Sequence, residues 1–411
     1  MTLRFDQRSL NGTVHLPSSK SISNRLLLIR YLAGSDKPIF NLSEANDTVL
    51  LKRLLDQLNE AKNQVVLDCE DAGTVLRFLC ASSCIEESRQ VVLTGTARLM
   101  QRPMAGLINV LQALGASVEQ KPDSIVIQGR TLKGGYAEID ASVSSQFISA
   151  LCLMAPYMQD GLQLKLRGEP VSAPYLQMTL QLMQNHGIAC NKIKDQILIP
   201  NSKYTLSDQL HVEADWSSAS FFYAMALCHT NTAVFLHDLA ASVLQGDALV
   251  AETLQNRGVI SRYESNGIRI TSEPIADEDW WNWDMKDTPD LAIPMLVAAA
   301  LSNKKWTFSG LHHLAWKESD RLNALYSELQ KAGSGIQHQH GVWRITQAVA
   351  PVNKQPLIQL KSHNDHRIVM ALSMLCLKGY TVQFDQVNCV SKSFPDFFRQ
   401  LQAIGFTIPD F

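Results

Sequence analysis

Apolar runs broken at regular distances by glycine organise this chain. A leucine, three residues and a glycine, followed by a short strand-like run, occur at Leu111 to Gly115, Leu254 to Gly258, Leu329 to Gly333 and Leu401 to Gly405, and a variant one residue longer ends at Gly187. Successive glycines stand 71 to 75 residues apart. Glycine tolerates the left-handed conformation just past a helix C-terminus, so each marks a predicted helix end. A helix over Thr48 to Leu58 lacks such a glycine and ends a shorter first unit.

A second series runs in parallel, with small or polar residues in front of an apolar run. It comprises Ser21-Ile22-Ser23-Asn24, Gly73-Thr74, Ser144-Ser145, Ser217-Ser218, Asp287-Thr288-Pro289-Asp290 and Asn364-Asp365-His366, and from Thr74 onward the steps are 71 to 76 residues. The shared period predicts six copies of one α/β unit, each with two helices and several short strands. Every such helix start offers unpaired backbone N–H groups and the positive end of a helix dipole. Six of them facing a shared cleft would hold anions without a Gly-rich phosphate loop. Any one alone is an ordinary N-cap; six in register favour a common site.

Size and charge narrow the choice. With 411 residues, 46 % hydrophobic and 18 % charged, the chain fills more than one core and predicts two domains. A net charge of −2 and a pI near 6.6 exclude a large nucleic-acid surface, so an anionic ligand is small and locally bound. No run approaches the length of an apolar membrane span, and the start Met1-Thr2-Leu3-Arg4-Phe5-Asp6 has no signal-peptide core, which places the protein in the cytoplasm. The eight cysteines show no Cys-x-x-Cys pair and are expected to be reduced core fillers. His312 and His313 have no further ligand at helical spacing, so neither a metal nor another cofactor is expected.

The candidate chemistry collects at the helix starts. Lys20 and Arg25 flank hydroxyl and amide donors at the head of an apolar helix, where both can meet a phosphate or carboxylate. Asp71-Ala72-Gly73-Thr74 with Arg77 is followed by Arg98 and Arg102-Pro103, and Gly73 lets a ligand approach the backbone. Ser144, Ser145 and Gln146 open a helix running from Phe147 to Met154, as caps or as ligand donors. Ser172 to Tyr175 read as a turn. Glu213, Asp215, Ser217 and Ser218 read as capping and a chain crossing, without chemistry. Asp290 reads as an acid on the first turn of a buried helix, there for the dipole or for catalysis. Lys317 and Arg321, at i and i+4, are expected on one helix face with Glu318 close by. Arg367 is a stronger anion ligand than its neighbour His366, and Lys392 stands in a turn before the last helix.

These segments, in this order across nearly the whole chain, resemble the 5-enolpyruvylshikimate-3-phosphate synthase family. The resemblance is carried by Lys20-Ser21-Ile22-Ser23-Asn24-Arg25, Ala72-Gly73-Thr74, Arg102-Pro103, Ser142-Val143-Ser144-Ser145-Gln146-Phe147, Pro289-Asp290, Lys317-Glu318-Ser319-Asp320-Arg321-Leu322, Asn364-Asp365-His366-Arg367 and Lys392-Ser393-Phe394-Pro395-Asp396. It implies an α/β, two-domain fold of six βαβαββ-type units, three per domain, with the active site in the interdomain cleft. One domain would span 19–213, and the other 1–18 plus 214–411, with the chain crossing twice. It further implies a shikimate 3-phosphate set of Lys20, Ser21, Arg25, Ser144, Ser145, Gln146, Ser172, Asp290, His313 and Lys317. The implied phosphoenolpyruvate set is Lys20, Gly73, Arg102, Gln146, Arg321, Arg367 and Lys392. Asp290 would serve the shikimate 5-hydroxyl, Glu318 with Lys392 the methylene carbon, and Lys20 the departing phosphate. The substrates would be these two small anions, with no nucleic acid or membrane partner, and the family expectation is a monomer whose domains close on the ligand.

Three positions depart from the family pattern: Asp71 where Asn is frequent, Phe78 where many members have Pro, and His313 where Asn is frequent. Unbranched Gly73 resembles glyphosate-sensitive members, which implies inhibition competitive with phosphoenolpyruvate. The sister UDP-N-acetylglucosamine enolpyruvyl transferases usually begin with Lys-Asn and often carry a loop cysteine near the Arg-Pro segment, where this chain has Met100 and Gln101. A non-catalytic anion-binding relative would have no need of Asp290, Glu318 and Lys392 together.

Overall fold

Strand Gln64–Asp68 leads through helix Gly73–Ser82 to strand Gln90–Thr94, and helix Ala105–Ala113 then returns the chain to the hairpin Ser117–Gln120 and Ile125–Gln128. The first two strands pair in parallel and the hairpin adds antiparallel, its second strand lying inside. This βαβαββ unit recurs. Gly135–Asp140, Ser145–Met154, Leu162–Arg167, Ala173–Asn185, Asn191–Ile193 and Gln196–Ile199 form another copy with the same strand order. The computed structural model of the chain describes residues 1–274, 280–302 and 305–409, with only the backbone of His313 and Trp316.

Two further copies follow the same order, one from Leu10–His15 through helix Trp216–Cys228 to Gly267–Ser272, the other from Trp281–Asp284 to Val342–Gln347. A fifth starts at Leu357–Leu360 and is completed by the N-terminal strand Thr2–Phe5, which lies between Thr381–Phe384 and Phe406–Thr407. The sixth is cut short. It keeps helices Lys20–Leu32 and Asn46–Glu60 with the two-residue parallel strands Leu210–His211 and Ile39–Phe40, but no hairpin. Its second helix ends at an extended Ala61 where the others end in glycine. Contacts divide the chain into two units of three copies each, Lys20–Val212 and Met1–Ser19 with Glu213–Phe411.

The two helices of a copy differ because their sequences do. Helix Ala292–Ser302 is apolar on every side and buries each residue from Ala292 to Leu301, as an all-round apolar helix must. Helix Arg321–Lys331 buries Leu322, Ala324, Leu325 and Leu329 along one face and leaves Asn323, Ser327 and Gln330 in water. The first kind packs centrally: Trp216–Cys228 lies on Ala292–Ser302, which lies on His366–Leu372, and in the other unit Gly73–Ser82 lies on Ser145–Met154. The second kind ends at the repeated glycines. Gly115, Gly187, Gly258, Gly333 and Gly405 all have φ between 79° and 108°, a conformation that favours glycine.

Three local expectations are corrected. Ser172 to Tyr175 are not a free turn: Ser172, at φ 56°, is the N-cap of helix Ala173–Asn185, whose first turn contains Pro174, a residue suited to that place. Asp290 precedes helix Ala292–Ser302 in a separate turn closed by Leu291 N–H to the Thr288 carbonyl, so it is not on the helix. Lys317 and Arg321 share no helix face, since a 3-10 helix, His312–Trp316, ends at Lys317 and the next helix begins at Arg321 with Asp320 as its cap. Charge spacing alone cannot reveal such a break. All eight cysteines are free; burial pushes the thiols of Cys80, Cys228 and Cys376 up to about 12.

Candidate active site

The candidate residues stand mainly where the central helices begin, and each unit carries its own set. In the unit Lys20–Val212, Lys20 is the first residue of its helix, and its ammonium pairs with the buried Asp47 carboxylate at 3.2 Å. Ser21 follows, and its carbonyl accepts from Arg25 Nη1 at 2.9 Å. Arg25 is 2 % exposed. Its Nε donates to Thr179 Oγ1 at 2.7 Å, and its Nη2 to the Tyr175 carbonyl at 3.2 Å and Ser149 Oγ at 3.4 Å. Phe78 places its ring 5.7 Å from the guanidinium carbon. Burial lowers Arg25 to about 10, which still leaves it charged at neutral pH.

Ser144 caps helix Ser145–Met154 by accepting from the Gln146 amide at 3.3 Å, and Ser145 is buried. The Gln146 side chain donates to Thr74 Oγ1 at 2.9 Å, tying two helix starts together. Gly73 is placed by close approach rather than by backbone angle. A Cβ there would lie 2.4 Å from Arg102 Nη1 and 2.5 Å from Arg77 Nη1, so two guanidiniums rest against the bare α-carbon.

The unit Met1–Ser19 with Glu213–Phe411 holds an ionic network instead. Arg321 is 2 % exposed. Its Nε meets Asp365 Oδ2 at 2.8 Å, its Nη2 meets Glu318 Oε2 at 2.7 Å, and its Nη1 lies 3.5 Å from Asp290 Oδ1. Burial alone would lower its pKa, but Asp365, Glu318 and Asp290 outweigh that and hold it above the ordinary value. The other oxygen of Asp290 accepts from Arg367 Nη2 at 2.9 Å. Arg367 also donates to the Asp290 carbonyl at 3.1 Å and to Ser217 Oγ at 2.7 Å. Asp365 is the N-cap of helix His366–Leu372, accepting from the Arg367 amide at 3.0 Å, and it also accepts from Ser319 Oγ. Lys392 ends a 3-10 turn and is buried; Lys317 is half-buried. The side chain of His313 lies outside the described residues.

Sequence reasoning brought Asp290, Glu318, Arg321 and Arg367 forward, and the structure joins these four in one network. It missed Asp47 and Asp247, and it gave Asp365 and Ser217 no part beyond a helix start. Ser217, read as a plain capping residue, bonds a candidate ligand, while the cap of its helix is Asp215. Asp365 had a signal: an aspartate directly before a buried apolar run is an N-cap whose second oxygen remains for a cation.

Comparison with known proteins shows the family and the fold. The model of the family described as EPSP synthase (3-phosphoshikimate 1-carboxyvinyltransferase) matches residues 6–401. A 3-phosphoshikimate 1-carboxyvinyltransferase from Bacteroides fragilis is 36 % identical over 403 residues, covering 97 % of this chain and 96 % of the relative. One from Colwellia psychrerythraea is 30 % identical over 423 residues, covering 96 % and 97 %. Two solved structures of EPSP synthase from Acinetobacter baumannii align over 99 % of both chains, with TM-scores of 0.73 and 0.74 at 19 % and 18 % identity, a likeness of fold. With the repeated βαβαββ units, the family's motifs at the helix starts and relatives matched along their whole length, the chain belongs to the EPSP synthase family.

Proposed function

We propose that the protein transfers the enolpyruvyl group of phosphoenolpyruvate to the 5-hydroxyl of shikimate 3-phosphate and releases phosphate. The observation that carries the reading is the Arg321 network, in which Asp290 and Glu318 are set on one guanidinium within a family that performs this transfer. The 5-hydroxyl oxygen attacks C2 of the enol while the methylene carbon takes a proton. The carbon–oxygen bond to phosphate then breaks, and loss of a methyl proton restores the double bond. Asp290 takes the hydroxyl proton, Glu318 with Lys392 serves the methylene carbon, and Lys20 balances charge on the leaving phosphate.

Binding is assigned along the same lines. Lys20, Ser21, Arg25, Ser144, Ser145, Gln146, Ser172, Asp290, His313 and Lys317 hold shikimate 3-phosphate, and Lys20, Gly73, Arg102, Gln146, Arg321, Arg367 and Lys392 hold phosphoenolpyruvate. Such cations gather two multiply charged anions even though the net charge is only −2. The reading includes a monomer acting in the cytoplasm. Phosphate release by the purified protein tests it, with phosphoenolpyruvate plus either shikimate 3-phosphate or UDP-N-acetylglucosamine, and Glu318→Gln as control. Release only with shikimate 3-phosphate, reduced in the control, is the expected outcome. Release only with the sugar nucleotide moves the chain to the sister activity, and none with either leaves an anion-binding protein.

A further inference from the structure

One buried carboxyl joins this network from a segment that carries no motif. Asp247 sits in a single 3-10 turn, Gly246–Ala248, and is 4 % exposed. Gln245 fixes that turn to the returning chain: its Oε1 accepts from the Trp216 amide at 3.0 Å, and its Nε2 donates to Glu213 Oε2 at 3.0 Å and the Ala214 carbonyl at 2.8 Å. The turn is thereby registered against the start of helix Trp216–Cys228, where the Ser217 hydroxyl bonds Asp247. The same hydroxyl oxygen accepts from Arg367 Nη2. With its oxygen taken by a guanidinium, the hydroxyl has one proton left to donate, and it goes to the carboxyl. Arg367 in turn grips Asp290, so one path runs from Asp247 through Ser217 and Arg367 to Asp290.

We propose that Asp247 is a positioning residue for the transfer reaction, holding Arg367 through the Ser217 hydroxyl and thereby fixing the orientation and electrostatic surroundings of Asp290. The proposal rests on the reading of Asp290 as the group that serves the hydroxyl. Two acids, Asp290 and Asp215, act on Asp247 together with one cation, Arg367, and Arg321 lies one step further on the far oxygen of Asp290. Burial first, and then the charge of Asp290, pushes the Asp247 carboxyl up to about 7; Arg367 and the Ser217 bond pull the other way. Asp247 thus changes charge near neutrality. Each ionisation sets a negative charge near Asp290 and competes for Arg367. A carboxyl buried only to fill space would leave Asp290 indifferent to its protonation.

Two measurements test this. The first follows the Asp247 carboxyl of the full chain by carbon-13 NMR against pH, in the wild type, Asp290→Asn and Ser217→Ala. Removing the neighbouring charge lowers the Asp247 midpoint, and removing the hydroxyl bond to the ionised form raises it; midpoints unmoved by both substitutions overturn the proposal. This arm needs no turnover, so it decides the coupling even if the protein releases no phosphate and the functional reading fails. The second compares kcat across the neutral pH range. Asp247→Asn keeps an acceptor for Ser217 but cannot ionise, and the step near pH 7 is expected to vanish from its profile. Asp247→Leu, with no acceptor, is expected to lose about tenfold in kcat, the worth of one ordinary hydrogen bond. An active wild type whose profile superposes on that of Asp247→Asn, with Asp247→Leu equally fast, also overturns the proposal.

Discussion

Two arginines, each 2 % exposed and one in each unit, are held by different kinds of partner. Arg25 is held by two hydroxyls, two carbonyls and the face of Phe78, none of which carries a charge. Arg321 is held by Asp365, Glu318 and Asp290. Burial lowers the pKa of the first, while the carboxylates raise that of the second. A buried guanidinium with neutral partners keeps a charge that an arriving anion can satisfy. One ringed by carboxylates shares its charge among them and fixes those acids in place. Equal burial therefore goes with neutral partners in one unit and with carboxylates in the other.

The contrast can be broken most sharply at Glu318. Glu318→Gln keeps an oxygen for Arg321 but no acid, so kcat should fall by about 10² to 10⁴ while the thermal midpoint stays in place. A midpoint that falls with the rate would make Glu318 a structural partner only. Arg321→Met strips three carboxylates of their shared cation, and urea unfolding should report a loss of about 3 to 5 kcal/mol. Arg25→Met is the counterpart. It removes a charge that no carboxylate balances, so stability should change by no more than about 1 kcal/mol, while KM for shikimate 3-phosphate rises by about 10- to 100-fold. If both arginine variants unfold alike, the distinction between neutral and ionic partners is lost. The smallest effect belongs to Gly73→Ala, whose methyl group must displace the ends of Arg102 and Arg77. Steady-state kinetics should show a rise of about fivefold in KM for phosphoenolpyruvate, an energy near 1 kcal/mol, with shikimate 3-phosphate little affected.

Much of the repeat was legible because it rests on backbone necessity. Each glycine from Gly115 to Gly405 in the series occupies a conformation that disfavours other residues, so the period shows through unrelated side chains. The truncated copy was half legible: the missing glycine after Leu58 marked it, but the absent hairpin leaves no sequence sign. Residues at the helix starts were found where a motif or a cap announces them, as at Lys20, Ser144 and Arg367. The linkages were not found. Arg321 meets Asp365 across 44 residues, and Asp247 reaches Ser217 across a gap that only the folded chain closes. Pairings of this kind depend on which strand lies beside which, and local spacing does not carry that information. The break between Lys317 and Arg321 was hidden for a related reason, since a charged run reads the same in one helix or two.

The placement of the N-terminal strand bears on how the molecule is made. Thr2–Phe5 completes a sheet whose other members begin at Leu357, and Leu10–His15 must await Thr232–His237. At about 5 to 20 residues per second, the ribosome leaves Thr2–Phe5 without its partners for roughly 20 to 75 s. Meanwhile every strand and helix of Lys20–Val212 has already been synthesised, so that unit can fold first, carrying an unpaired N-terminal segment that amounts to a newborn edge strand. Protecting that edge falls to whatever binds nascent chains.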